Sequence, residues 1–146
     1  MTNLKLIRAN ESDVQLYYDW ANDPSVRANS LNSDPIPYEN HVNWFTKRIH
    51  SENAHLLILV NELDKIGQIR LEKEGDLWNI NYSIAKEYRG KGMGKKIIAL
   101  TLDLFPDFHF LARVQNSNNA SLKVFETLNF KRIIDEEIVI FEFHPK

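Results

Sequence analysis

The sequence predicts one mixed α+β domain, within the broad α/β class, in which helices flank a central sheet. A length of 146 residues suits a single domain with one hydrophobic core, so we expect residues 1–146 to form one unit. The apolar spacing changes from a helical period to strand-like runs after residue 54. A helical segment also separates the strand that ends at Ile84 from the strand that begins at Phe108. Such a crossover makes these two strands parallel, so the sheet is expected to be mixed.

The N-terminal part is predicted to hold one strand and three helices. Residues 10–13 supply cap residues for the first helix, and the helix ends at Asn22-Asp23-Pro24. Val42, Phe45 and Ile49 fall on one face of the third helix. The predicted elements are a strand over 4–7, helices over 14–22, 25–29 and 38–49, and a turn-rich loop over 29–35.

The rest of the chain is predicted to alternate strands with two helices. Turn-like segments at 61–64 and 73–76 separate three apolar runs, which indicates an antiparallel meander. Pro106 closes the helix that follows, because proline cannot continue it. The predicted strands are 55–60, 66–71 with an interruption at Gly67, 77–84, 108–114, 131–134 and 137–143, and the helices are 92–104 and the segment capped by 116–119.

Composition excludes several classes of protein. The 18 basic and 20 acidic residues give a net charge of -2, which argues against bulk nucleic acid as a partner. The absence of cysteine excludes disulfides, thiolate metal sites and cysteine nucleophiles. The most apolar run, 56–60, is too short to span a bilayer, and the histidines are scattered without metal-ligand spacing. We therefore expect a cytoplasmic protein with no metal site and no nucleic-acid or membrane partner.

The most informative stretch runs from Tyr82 through the glycines at 90, 92 and 94. An alternating strand leads into these glycines, which are interleaved with basic residues, and then into a helix. Glycine lets the backbone approach a ligand closely, and the free N–H groups of a first helical turn point outward. The pattern predicts a phosphate-binding anion site, and the alternative is a plain structural turn.

Two segments together resemble the signatures of the GCN5-related N-acetyltransferases. Residues 89–94, Arg-Gly-Lys-Gly-Met-Gly, resemble the pattern Q/R-x-x-G-x-G/A, and residues 118–130 resemble the second signature, an Asn-led helix that ends in a Leu-Gly-Phe step. The predicted order of elements agrees with that fold. The resemblance implies a mostly antiparallel sheet of about six or seven strands with a parallel pair around the acetyl-CoA site.

The same resemblance implies acetyl-CoA as cofactor, with CoA as product. Its pyrophosphate would lie on the N–H groups of the glycine loop, and its pantetheine would lie along the strand at 82–84. Nearby basic side chains and the helix dipole match a pyrophosphate. The residues expected to bind the cofactor are Tyr82, Ser83, Ile84, Arg89, Gly90, Lys91, Gly92, Met93, Gly94, Lys95, Asn118, Ser121 and Phe125.

The second signature departs from the family pattern at two positions. Phe125 stands where many members carry a tyrosine that protonates the departing thiolate, and phenylalanine has no proton to give. Asn129 stands where glycine is usual, and asparagine tolerates a left-handed helix cap. A hydrogen bond from Asn118, Ser121 or water is therefore expected to serve the thiolate, which is a good leaving group.

The acceptor side is similar to acetyltransferases that act on nucleotide-linked amino sugars, of the pseudaminic-acid pathway type. The resemblance rests on residues 20–27 and on the polar and aromatic residues that follow. It implies that Asn29, Asn32, His41 and Trp44 bind the substrate, because amide, imidazole and aromatic groups bond sugar hydroxyls and stack on rings. Aromatic residues at helical spacing are also typical of a core. A peptide N-terminal amine, as in ribosomal-protein acetyltransferases, and a degenerate CoA-binding module stay open as alternatives.

The expected reaction is direct attack of a neutral primary amine on the thioester in a ternary complex. A backbone N–H near Ile84 would stabilise the oxyanion. Glu72 and His41 are the candidate bases, although an exposed strand-end carboxylate and a polar helix face would explain them without catalysis. Both a monomer and a homodimer stay open, because the last strand pair is apolar on both faces near its end.

Overall fold

The computed structural model describes residues 3–146, in which helices pack on both faces of a seven-stranded sheet. The strands follow the spatial order β1-β2-β3-β4-β5-β7-β6. Their bounds are β1 Lys5–Arg8, β2 Ala54–Val60, β3 Lys65–Glu74, β4 Leu77–Ile84, β5 Phe110–Gln115, β6 Lys131–Asp135 and β7 Ile138–Phe143. The α-helices are α1 Val14–Ala21, α2 Pro24–Asn29, α3 Tyr38–Ile49, α4 Met93–Leu104 and α5 Asn119–Thr127, and short 3-10 turns cover Glu11–Asp13 and Lys86–Tyr88.

The predicted mixed sheet is confirmed, with β4 and β5 as its parallel pair. The other neighbouring strands are antiparallel. The parallel pairing joins Trp78 to Phe110 and Asn79 to Leu111, which lie at the start of both strands. The strands therefore diverge toward their C-terminal ends.

Most strand bounds differ from the prediction by one residue, and the larger differences are in β3 and β5. Gly67 does not interrupt β3, since a Cβ at this position would lie 2.6 Å from the Ser83 carbonyl oxygen. The missing side chain therefore lets β3 and β4 approach closely and continue together to Glu74 and Leu77. Phe108 precedes β5 instead of opening it, because its N–H donates to the Phe105 carbonyl at 3.2 Å within a turn. Its ring stacks on Trp78 at 4.5 Å between centroids.

The two faces of the sheet bury two apolar clusters. Leu57, Leu59 and Ile80 belong to the larger cluster, which α4 and α5 cover. Tyr17 and Phe45 belong to the smaller cluster, under α1 and α3. Side chains alternate between faces along a strand, so consecutive residues of β3 and β4 point to opposite sets of helices.

No helix within residues 3–146 is long and apolar enough to cross a membrane. In the same part of the chain, no three or more His, Asp or Glu side chains come together as a metal site would require.

Candidate active site

An opening lies between β4 and β5 where the strands diverge. The Trp78 N–H donates to the His109 carbonyl on the β5 side, and the Ala85 N–H donates to the Ile66 carbonyl on the β3 side, each at 2.8 Å. Backbone polar groups alternate between the two edges of an extended strand. The N–H groups of Tyr82 and Ile84 therefore face the opening, at the position where an oxyanion donor is expected.

The glycine loop presents free backbone donors beside this opening. Gly90 and Gly92 have φ values of 75° and 78°, which side chains rarely adopt, and Gly92 caps α4 without a side-chain bond. The first bond of α4 runs from the Lys96 N–H to the Gly92 carbonyl at 3.3 Å. Within residues 3–146, no protein group accepts a hydrogen bond from the N–H groups of 91–95. This arrangement suits an anion such as a pyrophosphate.

The hydroxyl of Tyr82 joins β4 to α5 next to the loop. It lies 2.8 Å from the Ser121 Oγ, and the Ser121 N–H donates to the Asn118 side chain at 3.3 Å. Burial raises the pKa of Tyr82, while the Ser121 contact lowers it. A Cβ on Gly94 would lie 3.2 Å from the Tyr82 hydroxyl and 3.4 Å from Val124. Gly94 therefore allows α4 to pack closely on β4 and α5.

A small polar cavity lies on the opposite face of the sheet, between α1, α2, α3 and strands β3 and β4. Its volume is about 20 Å³, the room of roughly one water molecule. Its polar lining comprises Tyr17, Arg27, Ser30, His41, Gln68, Arg70 and Asn81, and Trp44 adds an aromatic wall.

Gln68 and Arg70 bring unsatisfied polar groups to this cavity. Gln68 is 5% exposed, and its Nε2 donates to the Ser83 Oγ at 3.0 Å, but its Oε1 has no partner among the described residues. Arg70 approaches Glu72 at 3.5 Å and lies 5.0 Å from the Trp44 ring centroid. Burial lowers the pKa of Arg70, although guanidinium groups stay charged in proteins.

The loop after α2 closes one side of the cavity. Arg27 donates from Nε to the Ala21 carbonyl at 2.6 Å, and from Nη1 to the Asn32 and Asp34 carbonyls at 3.0 and 3.2 Å. The Gln115 side chain on β5 donates to the Ser30 carbonyl. These bonds fix the loop across the space between β4 and β5.

Comparison with known proteins shows which family the chain belongs to. Residues 3–131 match the model of a family described as the acetyltransferase (GNAT) domain. The chain belongs to this family. Its domain is that of acetyl-CoA-dependent N-acetyltransferases, and the free N–H groups of the glycine loop fit the pyrophosphate of that cofactor.

A curated relative of this acetyltransferase domain is the uncharacterized protein MJ1062 of Methanocaldococcus jannaschii, which is 24% identical over 129 residues. That match covers 84% of this chain and 27% of the relative, so the chain spans about a quarter of the relative's length. A domain from M. jannaschii has a crystal structure with a TM-score of 0.86 at 22% identity, covering 99% of both chains. Spermidine N-acetyltransferase from Vibrio cholerae, in complex with CoA and spermine, has a TM-score of 0.80 at 16% identity, covering 95% of this chain and 92% of that one.

Two of the expected cofactor residues have side chains that are engaged within the protein. Arg89 donates from Nε to the Ile84 carbonyl at 2.9 Å and pairs with Asp23 at 3.1 Å, so its charge is engaged within the protein. Phe125 is 2% exposed and contacts Phe130 in the core, with 4.9 Å between ring centroids. Asn129 adopts the expected left-handed conformation, at a φ of 68°.

The expected acceptor residues divide into two groups. His41 and Trp44 line the cavity, whereas the side chains of Asn29 and Asn32 bond within their own segments, to the Ser25 carbonyl at 3.1 Å and from the Asp34 N–H at 3.0 Å. His41 is buried, not on a polar helix face, and its Nε2 lies 3.0 Å from the Val14 carbonyl. Burial lowers the pKa of His41 and so favours the neutral ring.

Glu72 lies outside the cavity. One oxygen accepts a hydrogen bond from the Arg48 Nε at 2.9 Å, and the other faces Arg70. Gln68 pairs with Ser83 in the sheet, and Glu72 lies four residues farther along β3, about 13 Å away. Ion pairs with Arg48 and Arg70 give the Glu72 carboxylate a structural role. The geometry therefore does not favour Glu72 as a base.

Sequence reasoning did not identify Gln68, Arg70 and Asn81 as site residues. The signal was present, because polar residues at alternate positions of a central strand must lie on one buried face. That face becomes recognisable only once β3 is known to lie inside the sheet.

Proposed function

We propose that this chain transfers the acetyl group of acetyl-CoA to the primary amine of a small-molecule acceptor, namely an amino sugar carried on a nucleotide. The observation that carries acetyl transfer is the opening between β4 and β5. It has free backbone donors at the glycine loop on one face of the sheet and a polar cavity on the other face. Two reactants can therefore approach one strand from opposite sides.

On the cofactor side, the N–H groups of residues 91–95 bind the pyrophosphate, and the side chains of Lys91 and Lys95 add positive charge. Asn118 and Ser121 at the start of α5 contact the pantetheine or its sulfur. When bound, acetyl-CoA supplies an activated acyl group and a thiolate leaving group. The backbone N–H groups of Tyr82 and Ile84 orient the thioester carbonyl and stabilise its developing negative charge.

On the acceptor side, His41 accepts the proton of the attacking amine. Its Nε2 donates to the Val14 carbonyl, so Nδ1 keeps the lone pair that a base requires. Phe125 has no proton to give, so the hydroxyl of Ser121 hydrogen-bonds the departing thiolate.

The charge of the cavity supports a phosphate-bearing acceptor. The partly exposed Arg70 guanidinium would repel a polycation such as spermine, which the Vibrio cholerae enzyme binds. A planar guanidinium group can donate two parallel hydrogen bonds to two oxygens of one phosphate. Trp44, next to Arg70, supplies a face on which a sugar or base ring can stack. These features favour a nucleotide-linked amino sugar over a polyamine.

The experiment is a measurement of free thiol released from acetyl-CoA with a panel of acceptors: a nucleoside-diphosphate amino sugar, spermidine and a peptide with a free N-terminus. We expect turnover with the amino sugar, and mass spectrometry should place one acetyl group on its amine. Turnover with the peptide alone would contradict the acceptor class. Silence with every acceptor despite tight CoA binding would indicate a CoA-binding module instead of an enzyme.

A further inference from the structure

We propose that Gln68 and Arg70 together select the acceptor, and that they select an amine that carries an anionic group. The Gln68 carbonyl receives an N–H or O–H of the acceptor, and the Arg70 guanidinium pairs with a phosphate or carboxylate on the same molecule. This inference deepens the proposed function and rests on it. It adds two specificity-determining residues that lie outside the cofactor-binding segments.

The Gln68 Oε1 is buried and has no hydrogen-bond partner among the described residues. A buried carbonyl without a hydrogen bond is costly, and native structures keep few of them. The amide nitrogen of Gln68 is fixed to Ser83, so the oxygen cannot turn away without breaking that bond. The cavity in front of it holds one water-sized group. A hydroxyl or amino group of a ligand would fill this space, and its hydrogen would satisfy the oxygen.

Arg70 is the second group of the cavity with unsatisfied hydrogen-bonding capacity. Its side chain is 28% exposed, and it lies two residues from Gln68 on the same face of β3, about 7 Å away. Its polar contacts within residues 3–146 are a 3.5 Å ion pair with Glu72 and a cation–π contact with Trp44. Most of its five N–H donors therefore lack an acceptor there. A cation placed in this way is suited to a bidentate anion.

The position of the pair relates it to the reaction. Gln68 pairs with Ser83 and Arg70 with Asn81 in the β3–β4 register, and both partners lie on the stretch of β4 that borders the opening. An acceptor held by this pair would present its amine next to the strand whose N–H groups face that opening. Arg27 does not duplicate the role, because its donors are engaged by the loop.

The test compares Gln68→Met and Arg70→Met with wild type, using separate titrations of acetyl-CoA and of each acceptor. For a nucleoside-diphosphate amino sugar we expect each variant to raise the acceptor KM at least about tenfold, with an unchanged KM for acetyl-CoA. Arg48→Met is the matched control. It removes the same charge from another arginine that contacts Glu72 and lies near Trp44, but it does not line the cavity. We expect its acceptor KM to stay within about twofold of wild type.

A second panel of acceptors tests whether the anionic group is a phosphate or a carboxylate. It compares the KM values of an amino-sugar phosphate, an amino acid and an uncharged amino sugar. Arg70→Met should abolish the preference for anionic members over the uncharged one. Gln68→Met should leave Tm within about 3 °C, whereas a purely structural glutamine would be needed for stability. An unchanged acceptor KM in Gln68→Met would show that the cavity holds only water and would overturn the proposal. A wild-type preference for spermidine would also overturn it.

Failure of the inference can be told apart from failure of the proposed function. If wild type acetylates none of the amines, acetyl transfer itself is refuted, and calorimetry then measures direct binding of the amino-sugar phosphate. Binding that is lost in Gln68→Met and Arg70→Met but kept in Arg48→Met would still support the selection site. Equal binding by all the proteins, or none by wild type, would refute it.

Discussion

The Tyr82 hydroxyl lies 2.8 Å from the Ser121 Oγ, and this contact connects the diverging end of β4 to the first turn of α5. Gly94 packs against the same tyrosine from the first turn of α4. The starts of both helices on the cofactor side are therefore positioned by one side chain. The divergence of β4 from β5 creates the opening, and Tyr82 sets the distance between the helices that border it.

Removal of this contact should loosen the cofactor side. We expect Tyr82→Phe and Ser121→Ala each to lower the free energy of unfolding by about 1 kcal/mol, because each deletes a partly buried hydrogen bond. Denaturant titrations of the two single variants and the double variant check this. The double variant should lose less than the sum of the single variants, since both delete the same bond. Additive losses would show that the two hydroxyls do not interact.

The left-handed backbone of Gly92 gives a second prediction. A Cβ at this position would meet nothing within 4 Å, so the constraint is the φ of 78° and not space. Gly92→Val should strain the loop by at least about 1 kcal/mol and weaken acetyl-CoA binding at least tenfold. Gly92→Asn is the matched control, because asparagine tolerates this conformation as Asn129 does in this chain. Calorimetric titration with CoA checks both. Equal weakening in the two variants would point to steric exclusion instead of strain.

The cofactor side was more predictable from sequence than the acceptor side, and the reason is physical. A glycine loop followed by a helix is a local pattern, so its spacing alone indicates an anion site. The cavity that we propose for the acceptor joins Gln68 and Arg70 of β3 to His41 of α3 and to Arg27, which are far apart in sequence. Arg89 shows the limit of a matched signature, since Asp23 engages the side chain that the pattern assigns to phosphate.

The buried His41 and the partly buried His55 predict how stability depends on pH. Burial lowers the pKa of His41, and burial together with the Arg8 charge lowers that of His55. Below about pH 6.5 the unfolded chain binds protons that the native protein does not, so stability falls as the pH falls toward the folded values. Each histidine contributes at most about 1.4 kcal/mol per pH unit. Urea titrations between pH 5 and pH 7.5 give the free energy of unfolding at each pH. Its slope against pH should be shallower in His41→Gln than in wild type, and shallowest in the double variant His41→Gln/His55→Gln. An unchanged slope in both would contradict this account.

Two substitutions of Asp23, which pairs with Arg89, should destabilise the protein to different extents. Asp23 accepts hydrogen bonds from the N–H groups of Ser25 and Val26 as the cap of α2, besides its ion pair with Arg89. Burial would raise the pKa of Asp23, but the bonds from Arg89 and these amides lower it below its usual range. Asp23→Asn keeps the cap and should cost less than about 1 kcal/mol, whereas Asp23→Ala loses both interactions and should cost about 1 kcal/mol more. Thermal unfolding ranks the variants, and equal Tm values for Asn and Ala would exclude the capping role.

The two candidate bases should respond differently to substitution. Glu72 is paired with Arg48 and lies outside the cavity, so Glu72→Gln should change kcat/KM less than about threefold, under ~1 kcal/mol of transition-state stabilisation. His41→Gln can still donate to the Val14 carbonyl but has no basic nitrogen, so we expect kcat to fall about 100-fold with little change in KM. The assay is thiol release with the amino sugar across pH 6 to pH 9. If His41 is the base, the acidic limb of the profile disappears in His41→Gln and persists in Glu72→Gln. The reverse pattern would assign the base to Glu72.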